Sequence, residues 1–334
     1  MPLHTTRRAV LALSAAVALA LSGCAGTPSA SGASDPLPSW NDGAAKQAIV
    51  DFVGDVTRPG SPSFVPPPER IAVFDNDGTL WAEQPIYFQF LFMLDQLKAA
   101  APQHPEWQAN PAFRALMAGD HAAALADQKA LLEVLIAANT GMSADDYDGR
   151  IRTWLAQARH PKTQRLYTEM VYQPQLELLA WLRERGFKTF IVSGGSHEFM
   201  RPWAEKVYGI PPEQVVGSFT PLKFEPVSGA LQLMRQPGME VNDGPTKPVG
   251  IARQIGRRPL LAVGNSDGDL QMIQYTTQGP GRRLGVIVHH DDAAREFAYD
   301  RQSHVGKLDK AWDEALAKGW TVVSMKSDWK RIYP

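Results

Sequence analysis

The sequence predicts an α/β fold, in which a doubly wound parallel sheet carries a block of helices inserted after its first strand. Short apolar runs typical of buried strands alternate with helical patterns, and three of these runs end in polar residues. Between the first and second of them lie about 85 residues that show helical spacing and no convincing strand. The 334 residues, 44% of them hydrophobic, suffice to bury one large core or two smaller ones.

The N-terminus has the layout of an export signal over residues 1–23. Arg7 and Arg8 precede an apolar stretch that is too short and too rich in alanine for a membrane span. Leu21-Ser22-Gly23-Cys24 follows and resembles the lipobox of bacterial lipoproteins, in which the cysteine becomes the lipidated first residue. We therefore expect an exported protein, periplasmic or at the cell surface, whose contact with the membrane is a lipid anchor on Cys24. Simple secretion is the alternative, and the paired arginines leave the general secretory and twin-arginine routes open.

Residues 24–40 have the composition of a flexible tether, rich in Gly, Ser, Pro and Ala. Cys24 is the one cysteine of the sequence, so the exported domain is expected to be held by its core without disulfides. The formal net charge of -1 and the lack of a long basic run give no reason to expect nucleic acid as a partner.

The first strand of the predicted sheet ends in two carboxylates. A helix over residues 41–56 and a proline-rich extended segment lead into the apolar run Ile71–Phe74, which is followed by Asp75, Asp77 and the turn residues Gly78-Thr79. Acids at the carboxyl end of a buried strand are costly unless a cation or a substrate uses them, although a solvated acidic turn is the alternative.

The inserted block, residues 82–165, is predicted to be a helical cap over the strand's carboxyl end. Helical spacing over residues 87–100, 121–139 and 143–159 supports this, and the two flanking segments, 41–81 and 166–334, would form the α/β core. Most aromatic side chains of the block are expected to pack between helices. Glu83, Gln84 and Tyr87 lie just past the acidic turn and are the candidates for contact with a substrate under the cap.

The second strand, residues 188–192, follows a predicted helix at 174–185 and ends in Ser193-Gly194-Gly195. A hydroxyl followed by two glycines offers an Oγ and backbone N–H groups to an anion, and a Gly-rich turn without function is the alternative. Residues 214–241 predict shorter strands or a hairpin with its turn at Ser228-Gly229.

Lys247 stands beside the start of a predicted helix at 249–255, where its ammonium could bind phosphate or simply be solvated. The third strand, residues 259–263, then runs into Gly264-Asn265-Ser266-Asp267-Gly268-Asp269, whose acids and amides are the ligand types that hard cations take.

A further strand, residues 284–288, ends in His289-His290-Asp291-Asp292, which has the residue types of a metal site. Adjacent strand residues point to opposite faces, so a strand-end turn is the favoured interpretation, with a substrate contact by His289 or His290 as the other. The tryptophan-rich C-terminal stretch predicts a packing helix and a final strand.

Taken together, the three strand ends resemble the haloacid dehalogenase superfamily with its Rossmann-like core, and within it the phosphoserine phosphatase-like phosphatases that carry a helical cap. The Asp-x-Asp-Gly-Thr motif at residues 75–79, followed in order by Ser193, Lys247 and Asp269, carries the resemblance, which covers residues 70–289. In a parallel sheet with right-handed crossovers, these strand ends fall on one edge.

The resemblance implies a Mg²⁺-dependent phosphomonoesterase acting on small phosphorylated metabolites. It makes Asp75 the nucleophile, which forms an aspartyl phosphate, and Asp77 the general acid and base. It implies phosphate binding by the four residues Thr79, Ser193, Gly194 and Lys247. It places Mg²⁺ at Asp75, the backbone carbonyl of Asp77, Asn265 and Asp269.

One position departs from the family pattern, because Asn265 stands where these phosphatases usually carry a metal-binding aspartate. Either Asn265 is the direct ligand with Asp269 beside it, or ligation shifts to Asp267 or Asp269. A dehalogenase is disfavoured by the second carboxylate, Asp77. A binding module without catalysis is favoured by Asn265 alone, and a phosphotransferase of the same fold stays open.

Overall fold

The computed structural model describes residues 35–120, 123–124 and 127–334. The predicted export signal, Cys24 and the first part of the predicted tether lie outside the described residues. Among the helices of the described ranges, none is both long enough and apolar enough to cross a membrane.

The sheet is built around β1, whose four residues are all buried. Ala72 and Phe74 belong to the apolar cluster on one face of the sheet, while Ile71 and Val73 belong to the cluster on the other. A strand covered on both faces needs a continuous apolar run, which is what the sequence has here. The nine strands of the described residues are β1 Ile71–Phe74, β2 Lys188–Ser196, β3 Val215–Ser218, β4 Leu222–Val227, β5 Ala230–Arg235, β6 Leu261–Gly264, β7 Leu284–Asp291, β8 Ala298–Tyr299 and β9 Thr321–Ser324.

Seven of these described strands form the central sheet in the order β3-β2-β1-β6-β7, with β8 and β9 both paired to β7. All pairs in this sheet are parallel except β7 with β8. β1 lies between β2 and β6, so the chain builds the sheet outward from β1 in both directions. The predicted α/β class with a doubly wound parallel sheet is confirmed. The direction in which strands are added reverses between β1 and β6, so the topological switch point lies at the carboxyl ends of these two strands.

The helices flank the sheet and fill the insertion. Five described α-helices lie between β1 and β2, four of them within residues 82–165. Ser143 caps the last of these four, and its Oγ accepts a hydrogen bond from the Asp146 N–H at 3.0 Å. The helices of the described ranges are α1 Ala44–Thr57, α2 Phe88–Ala100, α3 Pro111–Met117, α4 Gln128–Ala138, α5 Ala144–Leu155, α6 Gln173–Glu184, α7 His197–Tyr208, α8 Thr246–Gly250, α9 Leu270–Thr277, α10 Lys310–Lys318 and α11 Met325–Asp328.

The region predicted as short strands or a hairpin divides into two parts. β3 joins the central sheet as an edge strand beside β2. β4 and β5 form a separate antiparallel hairpin, and its turn lies at Ser228 and Gly229, which have φ angles of 51° and 85°. Positive φ at both central residues gives the twist that a two-residue hairpin turn requires.

The predicted tether is wrong at its end, because residues 36–40 belong to the folded unit Pro36–Pro334. Leu37 and Trp40 are completely buried. The indole Nε1 of Trp40 donates to the Pro174 carbonyl at 3.0 Å, and its ring meets Trp329 edge-on at 5.9 Å. The composition of the segment suggested flexibility, but burying two large apolar side chains contributes about 1.5–3 kcal/mol each.

Candidate active site

The carboxyl ends of β1 and β6 bring the predicted site residues together at the switch point. Asp75 follows β1 directly, and its backbone N–H donates to the Val263 carbonyl of β6 at 2.9 Å. Gly78 has a φ of 74°, and a Cβ there would overlap the side chains of Asn265 and Glu83. The turn after β1 can therefore close onto the β6 loop only because residue 78 has no side chain.

Lys247 lies between two carboxylates at the centre of the site. Its Nζ is 2.8 Å from Asp75 Oδ1 and 2.6 Å from Asp269 Oδ1, and all three residues are buried. Burial acts to lower the pKa of Lys247, but the carboxylates of Asp269 and Asp75 outweigh it and raise that pKa. The ammonium thus stays charged, and α8 delivers it to Asp75 from its first turn.

The pKa of Asp75 is raised well above its usual value. Burial is the main cause, the Asp269 carboxylate adds to it, and Lys247 acts in the opposite direction. Asp77 is held by Trp81, whose indole Nε1 donates to Asp77 Oδ1 at 2.8 Å. Burial raises the pKa of Asp77 to about 6, although the Trp81 hydrogen bond acts to lower it. A carboxyl group with this pKa can carry a proton and release it near neutral pH.

Ser193 and the two glycines after it lie beside the acidic side chains of the site. Ser193 is buried and its Oγ accepts a hydrogen bond from the Gly195 N–H at 2.9 Å. A Cβ on Gly195 would lie 3.3 Å from Ser193 Oγ and 3.4 Å from Asp77 Oδ2. The Ser193 hydroxyl and the Asp77 carboxylate therefore both lie next to Gly195. A Cβ on Gly194 would lie 3.1 Å from the Asp243 carboxylate. A side chain at either glycine would therefore crowd the polar groups at this strand end.

Asn265 is the buried amide at the end of β6, and both ends of its side chain are used. Its Oδ1 accepts from Thr79 Oγ1 at 3.0 Å, and its Nδ2 donates to Glu83 Oε1 at 2.7 Å. The hydroxyl hydrogen of Thr79, which was predicted to bind phosphate, is therefore given to Asn265. Glu83 also accepts from the Tyr299 hydroxyl at 2.7 Å.

Asp269 and Asp267 are both engaged in the β6 loop. Asp269 Oδ2 accepts the backbone N–H groups of Asn265 and Ser266 at 2.9 and 3.1 Å, while its Oδ1 contacts Lys247. Asp267 Oδ1 accepts the N–H groups of Asp309 and Ala311 at 2.9 Å each, at the start of α10. Asp267 therefore caps a helix, an interaction that accounts for the carboxylate without a metal.

Two residues predicted to contact substrate face the C-terminal segment. The Gln84 Nε2 donates to the Val305 carbonyl at 3.1 Å and to Ser303 Oγ at 3.3 Å. The Tyr87 hydroxyl accepts from the Gly306 N–H at 3.2 Å, although its ring is 39% exposed. Both side chains hold the loop at 303–306 against the insertion.

Each side chain of the His289-His290-Asp291-Asp292 segment has a structural partner. His290 is buried, and its Nε2 lies 2.8 Å from the Gly78 carbonyl oxygen. His289 packs on Trp312 with ring centroids 4.4 Å apart. Asp291 accepts from Ser324 and Asp292 accepts from Arg295. The favoured interpretation of a satisfied strand end agrees with these contacts, and His290 adds support to the turn after β1.

Comparison with known proteins places the chain in a family. Residues 72–274 match the family model of the haloacid dehalogenase-like hydrolases, which is more than half of the chain. The chain belongs to the haloacid dehalogenase-like hydrolases. No curated protein matches it in a sequence comparison.

Several solved structures are similar to this chain. A conserved protein of unknown function from Anaerococcus prevotii DSM 20548 is 11% identical with a TM-score of 0.50, over 84% of this chain and 90% of that one. A protein of unknown function from Bordetella pertussis Tohama I is 13% identical with a TM-score of 0.46, over 76% and 98%. A probable phosphoserine phosphatase from Vibrio cholerae is 20% identical with a TM-score of 0.36, over 74% and 65%. The first of these shows the fold.

The site of this hydrolase has the donors that suit a hard cation. The carboxylates of Asp75, Asp77 and Asp269 interact with the ammonium of Lys247, and the carboxylate of Glu83 interacts with those of Asp75 and Asp77. The described residues contain no group of three or more His, Cys, Asp or Glu side chains arranged to hold a metal. Mg²⁺ is usually bound by one or two carboxylates together with other oxygen ligands and water, and Asp75, the Asp77 carbonyl and the Asn265 amide are donors of these types. The residues present therefore fit such an ion.

Three contributors to the hydrolase site were missed from the sequence. Trp81 binds Asp77 from two residues past the recognised motif, and an indole four residues after the second acid is a usable signal. Gln89 accepts the Ser196 N–H at 2.8 Å with its Oε1, beside the anion turn. Tyr299 reaches Glu83 across 216 residues, and no local pattern indicates such a contact.

Proposed function

We propose that this hydrolase is a Mg²⁺-dependent phosphomonoesterase that acts through an aspartyl phosphate on Asp75. The observation that carries the proposal is the contact of Lys247 Nζ with Asp75 Oδ1 at 2.8 Å beside Asp77, whose pKa is raised to about 6. A nucleophilic carboxylate, a fixed cation and a group able to exchange protons are the parts that phosphoryl transfer through a carboxylate needs.

In the first step an Asp75 oxygen forms a bond to phosphorus while the bond from phosphorus to the ester oxygen breaks. Asp77 gives its proton to that leaving oxygen. In the second step Asp77 takes a proton from water, the water oxygen bonds to phosphorus, and the bond to Asp75 breaks to release phosphate. A pKa of about 6 suits Asp77 to both steps, because neither of its protonation states is strongly disfavoured near neutral pH.

Charge is the obstacle in the first step. A phosphate dianion and a carboxylate about 4 Å apart repel by several kcal/mol at an effective dielectric constant near 20. Lys247 offsets part of this, and the Ser193 hydroxyl with the Gly194 N–H can bind phosphoryl oxygens. When bound, Mg²⁺ would supply further charge neutralisation, with Asp75, the Asp77 carbonyl and Asn265 as its ligands.

Phosphate release from p-nitrophenyl phosphate with added Mg²⁺ tests the proposal. Asp75→Asn is expected to reduce turnover by roughly 10⁴-fold or more, since the nucleophile is lost. Asp51→Asn, on an exposed position of α1, is the matched control and should hydrolyse the ester at the wild-type rate. If a broad panel of phosphomonoesters yields no phosphate with the wild-type protein, the proposal is wrong.

We also propose that the enzyme works outside the cytoplasm on small phosphomonoesters, anchored by a lipid on Cys24. The support is the export layout of residues 1–23 and the lipobox-like ending at Cys24. The expressed full chain should sediment with membranes, and Cys24→Ser should move it to the soluble fraction without loss of folded protein. Equal sedimentation of both chains would contradict the anchor.

A further inference from the structure

Glu83 is a buried carboxylate whose hydrogen-bond partners are neutral. Its side chain is 1% exposed, and its Oε1 accepts from Asn265 Nδ2 and from the Tyr299 hydroxyl, both at 2.7 Å. Among the described Lys, Arg and His residues, none forms an ion pair with it. Buried charges in proteins are paired or bind metal ions, because leaving one uncompensated is costly. The described side chains around Glu83 therefore provide no positive partner for its carboxylate.

Space for Glu83 is made by two glycines from distant parts of the chain. A Cβ on Gly78, in the turn after β1, would overlap Glu83 Oε1, and so would a Cβ on Gly306, in the C-terminal segment. Both glycines have positive φ angles, 74° and 65°. The backbone thus approaches this carboxylate from two sides. Close packing therefore fixes the position of the Glu83 side chain.

Glu83 fixes the orientation of the Asn265 side-chain amide. A carboxylate accepts hydrogen bonds, so it orients the Nδ2 of the amide toward itself. The carbonyl Oδ1 then points to the other side, where Thr79 Oγ1 lies 3.0 Å away in the turn that carries Asp75 and Asp77. An amide oxygen turned this way is a ligand for a hard cation, whereas the NH₂ end would repel one.

We propose that Glu83 is a positioning residue for a divalent cation at this site. It holds Asn265 with Oδ1 toward the ion. Glu83 itself lies one hydrogen bond beyond the ligand and supplies the negative charge that the neutral amide lacks. Tyr299 fixes Glu83 in turn. The inference rests on the proposed function in one respect, namely that the cation binds beside Asp75. Partners one shell beyond a ligand commonly change metal affinity by about 10–100-fold.

Calorimetric titration of the purified substrate-free protein with Mg²⁺, and with Mn²⁺ followed by electron paramagnetic resonance, tests this. Glu83→Gln is expected to weaken cation binding by about 10–100-fold, since the charge is removed while the size is kept. Glu69→Gln is the matched control, because it makes the same change of charge at an exposed glutamate before the amino end of β1, away from the acidic turn. Its affinity should equal that of the wild type.

A charge exchange between the two residues makes the test independent of folding losses in one variant. Asn265→Asp alone places two carboxylates in contact and should destabilise the protein. Combined with Glu83→Gln, it restores the hydrogen bond with donor and acceptor exchanged and returns a negative charge to the site. The double variant should therefore bind Mn²⁺ within a few-fold of the wild type or more tightly.

Two results would overturn the inference: wild-type affinity in Glu83→Gln, or a double variant that binds as weakly as Glu83→Gln. Either result, in a wild-type protein that binds the cation and releases phosphate, leaves the proposed function intact. A wild-type protein that binds neither Mg²⁺ nor Mn²⁺ overturns both this inference and the proposed metal dependence. In that case phosphate release should be the same with and without added metal.

Discussion

Replacing Lys247 by methionine is expected to lower the free energy of unfolding by about 3–5 kcal/mol and to abolish turnover. The ammonium contacts Asp75 and Asp269 at 2.8 and 2.6 Å, and all three side chains are buried. Without it, two carboxylates face each other in a space with little water. Urea unfolding monitored by circular dichroism, together with phosphate release, measures both losses.

The cost of the Lys247 substitution should depend on pH. Lys247 acts to lower the pKa of Asp75, so in its absence the Asp75 carboxyl group takes up a proton more readily and part of the repulsion is relieved in acid. The loss of stability should therefore be smaller at pH 5 than at pH 8. Lys223→Met, which removes an exposed lysine paired with Glu225, is the control and should change stability by less than about 1 kcal/mol. An equally small loss for Lys247→Met would contradict the buried ion pairs.

Asp77→Asn is expected to slow turnover by about 10²–10⁴-fold and, in the proposed mechanism, to let phosphate accumulate on Asp75. Asparagine can neither protonate the leaving oxygen nor take a proton from water. With a reactive ester such as p-nitrophenyl phosphate, whose leaving group needs little protonation, the second step should suffer more. Acid quench and mass spectrometry of the intact protein should then show the added phosphoryl group. Its absence during residual turnover would argue against an aspartyl phosphate.

The same substitution should stabilise the metal-free protein. The pKa of Asp77 is raised from 3.8 to about 6 in the folded protein, so the folded state binds this proton more tightly than the unfolded state. Wild-type stability therefore falls as pH rises between about 4 and 6, by about 3 kcal/mol from this group. Asp77→Asn removes that loss. Its melting temperature should exceed the wild-type value at pH 7.5 and approach it at pH 4, measured by calorimetry in the presence of a chelator.

The sequence could predict the centre of the site because its signals are local. Asp75 and Asp77 directly follow a strand whose apolar run needs both faces covered, and the parallel sheet then brings the ends of β1 and β6 together. Lys247 could be singled out from its place at a helix start. Its two carboxylate partners could be named only from the family resemblance, since they lie 172 and 22 residues away.

The side chains around that centre could not be predicted, since their partners are set by packing between distant segments. Glu83 and Gln84 are neighbours in sequence, yet one turns to Asn265 and the other to the Val305 carbonyl. Asp267 has the residue type of a metal ligand, and only the position of α10 makes it a helix cap. The tether prediction failed for a related reason, because composition does not reveal that Trp40 meets Trp329.

The turn after β1 is held in place by residues that lie beyond the end of the family match. The match ends at residue 274, whereas His290 contacts the Gly78 carbonyl and Tyr299 binds Glu83 beyond that point. A chain trimmed to the matched residues would keep Asp75, Asp77, Lys247 and Asp269. It would lose the side chains of His290 and Tyr299, which contact Gly78 and Glu83. Changes in the last 50 or so residues of such a hydrolase could therefore alter its metal affinity while every motif residue stays the same.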